Sequence, residues 1–231
     1  MINKNIPIDK FEKSLGVVFK DKKFLIEALT HRSSANEDRE ISFSNERLEF
    51  LGDSVLSIIV STFLYKKYPD FPEGRLTSLR SILVQSKSLA KVSVDLGAGE
   101  FLTMSKGEEL SGGRSNTSIL ADTLEAIIGA IYLDLGLEAA ERFVSSHLLT
   151  RIDELLVAVE TVDYKSRLQE KSQEKERVSP RYEVIKTEGP DHNKQFYVDV
   201  FVADVKKGEG SGKSKQEAEQ AAAKNALEKN Y

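Results

Sequence analysis

Apolar residues recur at helical spacing through most of the chain up to about residue 160, and at alternate positions in much of the remainder. The first regime predicts two short helices, Asp9–Leu15 and Lys22–Thr30, joined at Gly16. A polar loop, RSSANEDREISFS, comes next, with Ser44 as the cap of a long helix that Pro69 and Pro72 stop near Tyr68. Glu73 and Gly74 open one further helical stretch, LTSLRSILVQSKSLAKVSVDL, ended by Gly97. The segment GEELSGGRSN reads as a loop by composition. Helical spacing returns from Thr117 to about Leu135, closes at Gly136, and resumes from Leu137 to about Val157. Nothing in residues 1–158 alternates with period two, so an all-α domain is expected there.

After a short linker at 159–162, residues 163–231 change character. Tyr164–Gln173 keeps helical spacing, whereas RYEVIKT and QFYVDVFVA alternate apolar and polar as half-buried strands do. GPDHNK is the loop between them. VKKGEGSG reads as a short third strand running into a glycine-rich turn, and KSKQEAEQAAAKNALEKN as an alanine-rich helix. The order α-β-β-β-α predicts a small α+β domain, with both helices on one face of a three-stranded antiparallel sheet.

Composition narrows the chemistry. The 231 residues include no cysteine, which excludes disulfides, thiolate metal sites and cysteine nucleophiles. The start, MINKNIPIDK, lacks the apolar core of a signal peptide, and the greasy run VLSIIVSTFLY reads as too short to span a bilayer. A cytoplasmic protein without a membrane partner is therefore expected. The net charge of −4 hides an asymmetry. From Thr161 onward 14 Lys+Arg face 13 Asp+Glu, leaving 19 against 24 in the first part.

The acid is patterned. In NERLEFLGDSVL, Glu46, Glu49 and Asp53 fall at i, i+3 and i+7, within roughly 60° of helical arc. A solvated face usually mixes signs, because like charges three or four residues apart repel. The pattern recurs in ILADTLEAIIGAIYL, where Asp122 and Glu125 share an arc with Gly129. A glycine inside a helix costs about 1 kcal/mol relative to alanine, and close approach by another backbone or a ligand is the usual compensation. If the two helices cross at these stripes, the converging carboxylates require a cation. Oxygen-only ligands suit Mg²⁺ or Mn²⁺, and such a site serves phosphodiester hydrolysis without a side-chain nucleophile.

NERLEFLGDSVL resembles the signature of the ribonuclease III family, and ADTLEAIIGAIYLDLG its second half. FPEGRLTSLRSILV and ALTHRSSANE resemble the intervening and preceding segments. The resemblance covers nearly the whole chain. It implies an all-α endonuclease domain followed by a double-stranded-RNA-binding domain. Residue by residue it implies Glu49, Asp122 and Glu125 as metal ligands, Asp53 and Glu125 as catalytic acids, and Glu46 and Glu73 as outer acids of the cleft and dimer interface. The implied enzyme is a homodimer using Mg²⁺, or Mn²⁺ in its place. It hydrolyses duplex RNA to 5′-phosphate and 3′-hydroxyl ends with two-nucleotide 3′ overhangs, and its substrates are precursor ribosomal RNA and structured messenger RNA.

Three places resemble the double-stranded-RNA-binding fold. DYKSRLQEKSQ brings Gln169 and Glu170 to a minor groove, and GPDHNKQF carries His192 into the next. GKSKQEAEQAAA presents Lys213 and Lys215 to phosphates at a helix N-terminus, where charge and dipole act together. Gln216 stands where the family usually has a second lysine, which predicts weaker binding with a smaller salt slope. GEGSGKS imitates a phosphate-binding P-loop, but Lys207 occupies the position of its first glycine, so no nucleotide cofactor is expected. His31 reads as structural or at the cleft edge, and His147 as a surface residue. The phenylalanine and tyrosine residues of QFYVDVF read as core. The rival to a nuclease is a non-catalytic duplex-RNA binder, which gains nothing from repulsion among four acids. A helical scaffold with an appended module is a more distant alternative.

Overall fold

The computed structural model describes residues 7–37, 43–152, 164–190 and 194–229, so His192 and the expected linker lie outside the described residues. The chain divides into two compact units, Met1–Asp153 and Glu154–Tyr231.

The first unit is helical. α1 (Ile8–Leu15) ends at Gly16, whose φ of 66° is the left-handed conformation that a side chain disfavours. α2 (Lys22–Ala28) is capped by Asp21, which accepts from the Lys23 amide. The polar stretch expected as a loop contains a helix, α3 (Arg32–Glu37). α4 (Glu46–Lys67) starts one residue later than the Ser44 cap implied. Asn45 holds the cap position, and the Ser44 hydroxyl donates instead to Glu46 Oε2 at 3.0 Å. The single helix expected after Glu73 is two, α5 (Glu73–Val84) and α6 (Ser86–Asp95), broken at Gln85 with ψ of 148°. The break lets α5 pack on α4 while α6 turns onto the central helix, which one straight rod could not do.

α7 (Ala98–Phe101) and α8 (Lys106–Leu110) are short, and α8 occupies part of the expected GEELSGGRSN loop. α9 (Thr117–Leu135) is capped by Asn116, whose carbonyl oxygen accepts from the Ser118 and Ile119 amides. It is apolar on nearly every side and therefore central. α10 (Leu137–His147) is followed by a 3-10 turn at Leu149–Arg151, which interrupts the helical run expected from Leu137, and the end of that run near Val157 lies outside the described residues. His147 is half-buried rather than on the surface, its ring tilted by 48° against that of Phe143 and its Nε2 3.3 Å from the Leu15 carbonyl.

α4 and α9 make the main helix–helix contact. At 22 residues α4 is long and apolar enough to cross a membrane by length and composition alone, contrary to the reading of its apolar run as too short. Its buried residues, among them Leu48, Val55, Leu56 and Val60, form core with α9. Glycines set the separation of the two helices. A β-carbon on Gly52 would lie 1.8 Å from the Glu125 carbonyl oxygen, and one on Gly129 2.4 Å from that of Leu48.

In the second unit α11 (Tyr164–Glu176) is followed by β1 (Arg181–Glu188), β2 (Gln195–Val202) and β3 (Val205–Gly212), then α12 (Lys215–Glu228). The sheet is antiparallel in the order β1-β2-β3. Val198, Val200 and Val202 face Leu168 of α11 and Ala218, Ala222, Ala223 and Ala226 of α12 in one core.

β3 is as long as its neighbours, where a short strand entering a glycine-rich turn was expected. Gly208, Gly210 and Gly212 alternate along it against the alanine face of α12. A β-carbon on Gly210 would stand 2.2 Å from the Ala222 amide nitrogen. These glycines are there for helix–sheet contact, which also removes the P-loop resemblance. Only Phe196 of the QFYVDVF aromatics packs against the core. Tyr197 and Phe201 sit beneath Lys186 and Arg181 respectively.

Candidate active site

Helical periodicity and the glycine contact together build the site. Gly52 lies three residues after Glu49, and Gly129 four residues after Glu125, so backbone contact at the glycines stacks the acids one turn away. Glu49, Asp122 and Glu125 each offer a carboxylate oxygen, and the three oxygens lie within 4.8 Å of one another. All three residues are half-buried.

Burial pushes the Glu125 carboxyl up from 4.5 to about 7, with the charges of Asp53, Asp122 and Glu49 adding to the rise. Burial likewise raises Asp122, against the attraction of His31 and Arg32. Glu49 is raised by burial and by the neighbouring charges of Asp122 and Glu46. Three carboxylates sharing so small a volume resist ionisation together unless a cation joins them. Their donor set, oxygen only, fits a hard divalent ion.

The remaining acids divide. Asp53 is exposed and is the neighbour whose charge acts most on Glu125, so it stands at the pocket. Glu46 is exposed at the rim, paired with Arg32 at 3.4 Å. Glu73 is not in the three-carboxylate group. It opens α5, accepts from the Thr77 hydroxyl at 2.9 Å, and lines a separate groove of about 450 Å³ with Ser61, Tyr65 and Arg80. The stripe logic that placed the other acids does not reach a residue on another helix.

Gly52 and Arg32 escape the sequence reading, which names His31 only as structural or at the cleft edge. Gly52 is the counterpart of Gly129, and its place inside an otherwise apolar helix is the signal that identifies it. Arg32 pairs with Glu46 at 3.4 Å and His31 acts electrostatically on Asp122, on a segment fixed by backbone hydrogen bonds from His31 to the Thr103 carbonyl at 2.9 Å and from Thr103 to that of Leu29 at 2.8 Å. Local sequence carries no signal for that pairing.

In the second unit, Gln169 and Glu170 are exposed on α11, directly after the buried Leu168. Lys213 and Lys215 are exposed at the start of α12, where the Ser214 hydroxyl accepts from the Glu217 amide at 3.1 Å. Glu217 in turn accepts from the Lys213 amide at 2.7 Å, which fixes the approach of the chain to the helix.

The first unit matches the family model described as ribonuclease-III-like over residues 21–152, and the second the double-stranded RNA binding motif over residues 164–230. A protein named ribonuclease 3 from Caldanaerobacter subterraneus subsp. tengcongensis is 50% identical over 218 residues, 94% of this chain and 96% of that protein. Another of that name, from Clostridium perfringens, is 46% identical over 226 residues, 98% and 95% of the two chains. The crystal structure of the nuclease domain of ribonuclease III from Campylobacter jejuni superposes with a TM-score of 0.57 at 48% identity, covering 63% of this chain and 94% of that one. A second structure of that domain, reported for flexibility in a region involved in dimer formation, gives 0.56 at 47% identity over 61% and 97%. Agreement of this kind along almost the whole length, with both units accounted for, shows that the chain belongs to the ribonuclease III family.

Proposed function

We propose that Glu49, Asp122 and Glu125 hold a divalent cation, Mg²⁺ with Mn²⁺ able to replace it, and that the chain thereby hydrolyses duplex RNA. Family membership and the RNA-binding motif make the chain an endoribonuclease for double-stranded RNA. The observation that carries the metal reading is the group of three half-buried carboxylate oxygens within 4.8 Å. When bound, the ion supplies electrophilic polarisation of a phosphoryl oxygen and a water acidic enough to attack at neutral pH.

The side chains do the rest. Glu49, Asp122 and Glu125 fix the position of the reacting phosphate relative to the helices. Asp53, exposed beside Glu125, orients the attacking water. Water adds to phosphorus, the bond to the 3′ oxygen breaks, and that oxygen takes a proton, leaving a 5′-phosphate and a 3′-hydroxyl. Two copies of the chain, one site per strand, account for a two-nucleotide 3′ overhang. The exposed apolar residues Phe50, Ile58 and Tyr65 along α4 support a homodimer, as does the dimer-forming region of the Campylobacter jejuni domain. α11 and the start of α12 hold the duplex by shape and phosphate charge. Ribosomal RNA precursors and structured messenger RNA are the proposed substrates.

The test is incubation with a long RNA duplex in Mg²⁺ and in EDTA, with end mapping of the products. Cleavage in Mg²⁺ alone supports the reading, and binding without cleavage overturns it. Glu125→Gln should abolish cleavage and leave duplex binding nearly intact. A mutant that cuts at the normal rate overturns the metal assignment.

A further inference from the structure

His31 is held more firmly than a cleft-edge residue requires. Its amide donates to the Thr103 carbonyl at 2.9 Å, and its own carbonyl accepts from the Ser34 amide at 3.0 Å at the start of α3. The preceding residue, Thr30, gives its carbonyl to the Asn45 amide at 2.8 Å, immediately before the acidic turn of α4. The ring is fixed as well. Nδ1 lies 2.9 Å from the Ser33 hydroxyl and accepts from the Ser33 amide at 3.3 Å. The Ser33 hydroxyl accepts from the Ser105 amide at 3.0 Å, so its own proton is free to go to Nδ1.

These bonds assign the tautomer. A nitrogen that accepts from a backbone amide cannot carry a proton, so the ring is neutral and its proton sits on Nε2. Burial acts in the same direction by lowering the affinity of the ring for a second proton. Among the described residues nothing partners Nε2. The charges of Glu108, Arg32, Asp122 and Glu46 all act on the ring, and the backbone joins its segment to the acidic turn, since Asn45 donates to the Thr30 carbonyl and Glu49 to the Asn45 carbonyl, each at 2.8 Å. Within the same turn Arg32 supplies the positive charge, and it is already paired with Glu46. A neutral N–H donor beside an anionic pocket can bind a phosphate oxygen without competing with a cation for the carboxylates.

We infer that the Nε2–H of His31 donates a hydrogen bond to a non-bridging phosphate oxygen of the RNA strand being cut. The inference rests on the proposed nuclease reading. His31 would then touch substrate, while Ser33 and Ser105 act through it as positioning residues.

Two substitutions separate the two edges of the ring. Asparagine reproduces the Nδ1 acceptor that holds the start of α3 but has nothing at the Nε2 position. Glutamine places an amide N–H near the Nε2 position and loses the short-range acceptor. Single-turnover cleavage of a duplex at saturating protein in Mg²⁺ is the assay, with thermal melting in Mg²⁺ and in EDTA beside it. His31→Asn is expected to melt like the wild type and to show the same Mg²⁺ shift, yet to cut about a hundredfold more slowly. His31→Gln is expected to recover most of the rate even with a lower melting temperature. The inference is overturned if His31→Asn cuts like the wild type, if His31→Gln is as slow as His31→Asn, or if His31→Asn loses the Mg²⁺ shift. Absence of cleavage by the wild type itself would instead remove the nuclease reading.

Discussion

Glu125→Gln should make the metal-free protein more stable above neutral pH, although it removes a charged group from a highly charged site. In the unfolded chain the carboxyl titrates near 4.5, and in the folded pocket near 7. The folded state therefore holds the proton more tightly. Stability from this group is complete below about pH 4.5, declines as pH rises between the two values, and is lost above pH 7. The interval is worth up to about 3.4 kcal/mol at about 1.36 kcal/mol per pH unit. Glu125 is only half-buried, so solvent screening brings the realistic figure to about 1–2 kcal/mol. Asp122 and Glu49 are shifted in the same direction and share its sign.

For a unit of this size about 1.5 kcal/mol corresponds to a change of about 3–6 °C in melting temperature. The assay is calorimetric melting in EDTA at pH 5 and pH 8.5 for wild type and mutant. The two should converge at pH 5, with the mutant melting higher at pH 8.5. Saturating Mg²⁺ should restore the wild type at pH 8.5, by about 2.7 kcal/mol at a hundred times the dissociation constant, and should do little for the mutant. A difference between the two proteins that does not change with pH, or a mutant that melts lower at pH 8.5 in EDTA, would refute the crowding argument.

Two further predictions concern the second unit. The β2–β3 turn places Ala203 and Asp204 at φ of 46° and 60°, the left-handed region that alanine disfavours, so Ala203→Asn should raise stability by about 1 kcal/mol in denaturant titration. Lys213→Ala and Lys215→Ala should each weaken duplex binding and reduce the slope of log affinity against log salt by roughly one, while Gln216→Lys should steepen it by a similar amount in filter-binding or anisotropy titrations.

The acids of α4 and α9 were legible in the sequence because they obey one local rule, helical periodicity, applied twice. What the sequence could not carry is non-local. The break at Gln85 depends on where α9 lies, and nothing in VQSKS announces it. The glycines of β3 read as a turn because glycine is commonest in turns. Their actual reason is the alanine face of α12, which arrives only after the chain has turned back. His31 depends on Ser33 and, through it, on Ser105, 72 residues away from Ser33. Glu73, which the resemblance set among the outer acids of the cleft and dimer interface, stands on another helix and within one chain lines a different groove, a placement that no periodicity in α4 or α9 could give.

The glycine pair ties the geometry of the pocket to the packing of the core. Ordinary contact would place a β-carbon well beyond 3 Å from a backbone oxygen. A β-carbon on Gly129 would instead meet the Leu48 carbonyl at 2.4 Å, and backbone cannot rotate away as a long side chain can. Gly129→Ala must therefore push α9 from α4 by roughly an ångström or strain the crossing, at a cost of about 1–3 kcal/mol. Because Glu49 is on one helix and Asp122 and Glu125 on the other, the same displacement widens the carboxylate group that now fits within 4.8 Å. The mutant keeps every ligand and should still lose Mn²⁺ affinity by about tenfold or more, as disturbance of a site's supporting shell does. Mn²⁺ titration followed by electron paramagnetic resonance, on protein shown to be folded by circular dichroism, reads this directly. Wild-type affinity in a folded Gly129→Ala protein would mean that the acids find one another without help from the helix crossing, and the preorganised pocket would have to be given up.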